Sequence, residues 1–92
     1  EPLPVAFEVQ GNYPNPFNAV TTLAFSMPDN GTVTITAYNA IGQKVDTVYK
    51  GQLDAGEKHI LWKTPASLAG GVYYITIDTP WGTKTEKTAL VK

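Results

Sequence analysis

Apolar and polar residues alternate along most of this chain with a period of two, the repeat of a strand that buries one face. Val5, Phe7 and Val9 share a face over Val5 to Gln10 and predict a first short strand. Gly11 to Asn18 (GNYPNPFN) predicts neither regular strand nor helix, because Pro14 and Pro16 lack an N–H and the asparagines favour turns. Over Val20 to Met27, Leu23, Phe25 and Met27 face one way and Thr22, Ala24 and Ser26 the other. Pro28-Asp29-Asn30-Gly31 predicts a tight turn, with proline presetting φ early and glycine accepting positive φ late. Thr32 to Asn39, with Val33, Ile35 and Ala37 in phase, is then the return strand of a hairpin.

The second half repeats this grammar. Ala40 to Gln43 predicts a bend, and Lys44 to Lys50 a strand with Val45, Thr47 and Tyr49 on one face. Gly51 to Glu57 is a turn-rich connection. Lys58 to Lys63 sets Ile60 and Trp62 against His59, Leu61 and Lys63. Thr64 to Gly71, with Pro65 and a Gly70-Gly71 pair, predicts a loop or a single helical turn. Val72 to Asp78 aligns Tyr73, Ile75 and Ile77, Thr79 to Thr83 turns, and Lys84 to Val91 is a last strand. No window keeps a helical period over three turns. Roughly seven short strands at near-regular spacing predict an all-β, antiparallel sandwich of immunoglobulin or fibronectin type III style. Residues 1–4, Glu-Pro-Leu-Pro, read as a linker remnant, and residues 5–92 as one domain. Phe25, Val33, Ile35 and Ile75 are expected in the core, with Trp62 as its large anchor in place of the disulfide of antibody domains.

Composition agrees with the pattern and removes several chemistries. Twelve threonines, eight valines and five isoleucines are strand formers, and the 42% hydrophobic content is that of a folded domain. The chain has no cysteine, which removes disulfides, thiolate metal sites and a cysteine nucleophile. Seven lysines, no arginine and a net charge of −1 give no electrostatic footprint for nucleic acid. The chain opens on Glu1 rather than methionine and carries no signal peptide, so it is expected to be part of a longer polypeptide.

Candidate chemistry is sparse. His59 is the single imidazole and reads as a solvated strand residue; Ser26 and Ser67 lie outside any nucleophile elbow. Asp54 and Glu57 are one carboxylate pair, whereas calcium usually takes about six to eight oxygens. No enzyme activity, cofactor or metal is expected. Asn30-Gly31-Thr32 matches the N-glycosylation triplet and Asp46-Thr47-Val48 a short bacterial O-glycosylation triplet, both short enough to arise by chance. Trp81, in a turn, and Tyr13, Tyr38, Tyr49 and Tyr74 leave two readings open: an aromatic strip for sugar rings, or Trp81 folded over the sheet end.

Two stretches carry more than composition. The first is Asn12-Tyr13-Pro14-Asn15-Pro16-Phe17-Asn18, followed by Thr21 to Phe25. The second runs from Leu68 through Gly71-Val72-Tyr73-Tyr74 to Gly82, Lys87, Leu90, Val91 and Lys92. Together they resemble the type A C-terminal sorting domain of the type IX secretion system of Bacteroidota. Tyr38 to Val45, Leu53-Asp54-Ala55-Gly56 and the strand ending in Trp62 resemble the segments between. Ala19 and Val20 stand where that family usually has proline and serine, Ala24 where arginine is common, and Thr88-Ala89 is less apolar than usual. A related immunoglobulin-like module caps flagellar hook scaffolds.

The resemblance implies a secretion signal attached to an N-terminal cargo domain. It implies passage through the periplasm, recognition by an outer-membrane translocon and its shuttle protein, removal by a surface protease, and a product that is secreted or held at the cell surface. Tyr13, Pro14, Asn15, Pro16, Phe17, Gly71, Tyr73, Gly82, Lys87, Leu90, Val91 and Lys92 are then the recognition residues. In this reading the proline loop is pre-ordered for binding. The last strand, if at a sheet edge, adds to a partner sheet, while Lys84, Lys87 and Lys92 keep it from self-pairing. The competing readings are a carbohydrate-binding module, or a structural accessory module, of a secreted enzyme.

Overall fold

A computed structural model describes residues 6–92; the expected linker at residues 1–4, and Val5, lie outside the described residues. Seven strands form: β1 (Glu8–Tyr13), β2 (Val20–Met27), β3 (Gly31–Asn39), β4 (Lys44–Leu53), β5 (Gly56–Lys63), β6 (Gly71–Thr79) and β7 (Gly82–Leu90). A three-stranded sheet in the order β1-β2-β5 packs on a four-stranded sheet in the order β4-β3-β6-β7, and all strand pairs are antiparallel. This is the expected β-sandwich, with the chain changing sheets after β2, β4 and β5.

The period-two alternation decides which side chains fill the space between the sheets. Leu23, Phe25 and Met27 of β2 meet Val33, Ile35 and Ala37 of β3 and Tyr73, Ile75 and Ile77 of β6, with Trp62 of β5 among them. Phe25, Val33, Ile35, Trp62 and Ile75 are all buried, as the alternation requires. The Trp62 ring lies 5.7 Å from that of Phe17 and 6.1 Å, edge to face, from that of Tyr73. Its indole Nε1–H donates to Asp46 Oδ2 at 2.8 Å, so the buried polar tip is satisfied from β4 of the opposite sheet. Tyr73 donates its hydroxyl to the carbonyl of Ala69, four residues back, which is the tyrosine corner of sandwich folds.

Three strand expectations need correction. The hairpin expected between Val20–Met27 and Thr32–Asn39 does not form: β2 pairs with β1 and β5, and β3 pairs with β4 and β6. The Pro28–Asn30 turn carries the chain from one sheet to the other, so that the two strands face each other across the core. The other two fail at bulges. Gly11 to Tyr13 is not irregular: β1 continues through it, because Gly11 at φ 122° absorbs an extra residue where the register slips between Val9 and Gly11. In β4 the expected shared face of Val45, Thr47 and Tyr49 is broken. Register slips opposite Ile35/Thr36 and Ala37/Tyr38 turn Val45, Val48 and Tyr49 towards the core and leave Thr47 exposed. The expected turn over Gly51–Glu57 also shrinks to Asp54 and Ala55, and the Thr64–Gly70 connection makes one turn closed by Leu68 N–H on the Pro65 carbonyl at 3.1 Å.

Trp62 joins both sheets, a hydrogen bond and two ring contacts. Trp62→Ala is expected to cost about 3–5 kcal/mol, read as a large drop in the urea midpoint. A midpoint within error of the parent would show that the core does not depend on this ring.

Candidate functional site: a clasp between the proline loop and the chain end

The antiparallel path sorts the connections into two ends. One end carries the Tyr13–Val20 loop, the Asn39–Lys44 bend, the Lys63–Gly71 connection and the residues after β7. The other carries the start of β1, the turns at Pro28–Asn30 and Asp54–Ala55, and the β6–β7 hairpin at Pro80-Trp81. The proline loop and the chain end therefore converge on the first end, although the residues they join lie more than 70 positions apart in sequence.

They meet as a clasp. Phe17 forms a parallel bridge with Leu90: its N–H donates to the Ala89 carbonyl at 2.9 Å, and its carbonyl accepts from Val91 N–H at 2.8 Å. One turn earlier, the Asn15 carboxamide does what a paired peptide would do. Its Nδ2 donates to the Lys87 carbonyl at 3.2 Å, and its Oδ1 accepts from Ala89 N–H at 3.1 Å. The Asn15–Phe17 segment thus covers the outer edge of β7 over its last third.

A polar network supports the loop from below. Thr21 and Thr88 are buried, and each stands in phase with the core-facing residues of its strand. Asn12 Nδ2 donates to Thr88 Oγ1 at 2.6 Å and reaches Thr21 Oγ1 at 3.4 Å. Thr88 Oγ1 donates to Asn15 Oδ1 at 3.3 Å, and Thr21 Oγ1 to the Pro14 carbonyl at 3.0 Å. Both hydroxyls thereby have partners, and no buried side-chain nitrogen or oxygen among the described residues lacks one. Both X–Pro bonds of the loop are cis. The loop closes at Asn18–Val20, where Ala19 sits at φ 71°, a value closed to proline and costing an L-residue about 1–2 kcal/mol. The Ala19 carbonyl is held by Thr64 N–H at 2.8 Å and Thr64 Oγ1 at 3.0 Å.

Most of the recognition residues read from the sequence come together here, in different states. Phe17, Tyr73 and Leu90 are buried and hold the fold. Gly71 pairs with Leu90, and a side chain on neighbouring Gly70 would crowd the Leu90 carbonyl at 3.2 Å. Lys92 Nζ donates to the Ala66 carbonyl at 2.9 Å. Tyr13, Pro14, Asn15, Pro16, Lys87 and Val91 are exposed. Gly82 lies apart, at the β6–β7 hairpin, about 26 Å along β7 from Leu90. The terminal strand is an edge strand whose end is covered: from the Lys87 carbonyl to the Val91 N–H its outward groups are already bonded, so strand addition there requires the clasp to open.

Exposed apolar residues are unevenly spread. Among the described residues six large ones are exposed, and five of them (Tyr13, Val20, Ile41, Leu61 and Val91) sit at or beside the clasp end. Tyr13, Thr22 and Leu61 are consecutive partners across the three-stranded sheet, where Tyr13 is 53% and Leu61 64% exposed. The sixth, Trp81, lies over Gly31 at the other end and reaches to within 2.9 Å of where a Cβ there would stand. Asn12, Thr21, Thr88 and Leu61 stand outside the recognition residues read from the sequence. A threonine in phase with a core face was the available signal for two of them.

Asn15→Ala removes the partner of the Lys87 carbonyl and of the Ala89 N–H, both of which water can reach, and is expected to cost about 0.5–1.5 kcal/mol in chemical denaturation. No measurable loss would mean that the carboxamide does not hold the edge.

A comparison with curated protein sequences finds no match. The family described as "Secretion system C-terminal sorting domain" matches residues 12–92, from the first asparagine of the clasp network through the clasp itself to Lys92. The chain belongs to this family, and is the C-terminal signal by which type IX secretion exports a cargo protein to the cell surface or the medium.

Proposed function

We propose that the secretion machinery reads the clasp end of the folded sandwich as one composite surface, made by the Tyr13–Phe17 loop, the Asn39–Lys44 bend and the residues after β7. The domain acts by being recognised and performs no chemistry of its own. The observation that carries this reading is the gathering, among the described residues, of five of six exposed large apolar side chains at the end where the two motif stretches meet. Clustered exposed apolar surface marks a partner site more often than scattered residues do.

The direction of the chain supports the same reading. β1 starts at the opposite end, where Ser26 Oγ donates to the Ala6 carbonyl at 3.1 Å. A cargo on the N-terminal side therefore leaves from that end, and the clasp end stays clear of it. The finer steps follow the family resemblance: folding in the periplasm, recognition by the outer-membrane translocon and its shuttle protein, and removal by a surface protease.

Truncation is a poor test of this proposal. Removing Lys87 to Lys92 also removes buried Leu90 and every bond that holds Phe17 and Asn15, so it unfolds the clasp as well as shortening the signal. Exposed side chains separate the two effects. Tyr13→Ser combined with Val91→Ser, behind a reporter cargo, is expected to leave the urea midpoint nearly unchanged and to hold most of the cargo inside the cell. Trp81→Ala, at the far end, is expected to export normally. Full export of the Tyr13/Val91 variant would contradict the proposal.

A further inference from the structure

We infer that the outer face of the four-stranded sheet is a binding surface for an acidic polysaccharide. Its centre is a row of side chains from four adjacent strands, Lys44, Tyr38, Tyr74 and Lys87, which are consecutive partners across β4, β3, β6 and β7. Ala37, Tyr73 and Ile75 are buried in the core, so the alternation turns Tyr38 and Tyr74 outward. Both tyrosines are half-buried and both lysines exposed. With strands about 4.8 Å apart, the row spans about 14 Å, two aromatic rings between two cations.

The rows beside it have matching chemistry. Thr47, Thr76 and Thr85 lie in the next row, where Thr36 between them is buried, and Lys50, Thr34, Asp78 and Thr83 form the one after. Of these threonine hydroxyls, only Thr76 and Thr83 donate within the protein among the described residues, to the Thr36 carbonyl and Asp78 Oδ1. The charges are one-sided. This face holds Lys44, Lys50 and Lys87 against Asp78 alone, on a chain whose net charge is −1. Asp46 is turned inward to Trp62, and Glu86 lies on the β1 side, 3.7 Å from the Cβ position of Gly11.

Each feature points to the same ligand class. Tyrosine offers an apolar ring face with a polar tip, suited to sugar rings. Threonine hydroxyls both donate and accept, as sugar hydroxyls do. Lysines at both ends of the row suit the carboxylates or phosphates of an acidic chain. The site does not involve Trp81, whose ring is packed on Gly31. The row borders the clasp end and shares Lys44 with the proposed sorting surface, but polymer binding in gels and export of a cargo are separate readouts, so either reading can fail while the other stands.

The test is electrophoresis of the 92-residue chain in native gels cast with polygalacturonate, dextran or no polymer. Retardation is expected in polygalacturonate only, weakening as salt is added. Tyr74→Ala and Lys44→Gln, each confirmed folded by circular dichroism, are expected to weaken it about three- to tenfold, and Trp81→Ala to leave it unchanged. The inference is overturned by no retardation, by loss in Lys44→Gln with none in Tyr74→Ala (simple polyanion attraction), or by equally strong binding to anionic lipid vesicles.

Discussion

The structure turns on how one strand edge is closed. β7 is the last strand of its sheet, and its outward N–H and C=O groups have no neighbouring strand. Ala89 and Val91 present those groups to Phe17, and Lys87 and Ala89 present theirs to the Asn15 side chain. An antiparallel ladder exposes alternate residues, and the β6–β7 pairing has no register slip, so Thr83 and Thr85 face the same way. The edge is thus closed near the chain end and open near the hairpin. Burial of Phe17 against Trp62 fixes the loop in the core, and the Asn12–Thr21–Thr88 network fixes its underside. Removing any of these frees the same few residues.

This closure joins two short motifs, one near each end of the sequence, into one structural unit. Each completes the other: the proline loop lacks a partner strand until β7 is in place, and the end of β7 lacks one until the loop folds back. A chain that has not finished folding does not form the clasp, so under the proposed function recognition is coupled to the folded state. The departure at Ala19 fits the same geometry. The turn there takes a φ that proline cannot adopt, and Thr64 on the neighbouring connection holds it in place.

Local pattern was enough for the strands and their inward faces, since alternation marked Leu23, Phe25, Val33, Ile35, Trp62, Ile75 and Ile77 correctly. It failed where the chain gains a residue. The bulges at Gly11 and in β4 each break the period of two, and nothing in VDTVY announces which residue is extra. The clasp was only half legible. The motifs were visible as segments, but their meeting depends on pairing across more than 70 residues, which no local window contains. Thr21 and Thr88 carried a usable hint, being polar residues in phase with a core face. The terminal strand does lie at a sheet edge, but the cover over its end was not legible, because the loop that supplies it is irregular backbone with two prolines.

The central claim is that loop and terminal strand open and close as one unit. Native-state hydrogen exchange of the Phe17, Ala89 and Val91 amides measures it directly. These donate to the Ala89 carbonyl, Asn15 Oδ1 and the Phe17 carbonyl in turn. The account predicts that all three are protected and share one opening free energy, while the outward amides of Thr83 and Thr85 exchange fast. Fast exchange at Val91 with Phe17 still protected would contradict it, because the chain end would then be free of the loop.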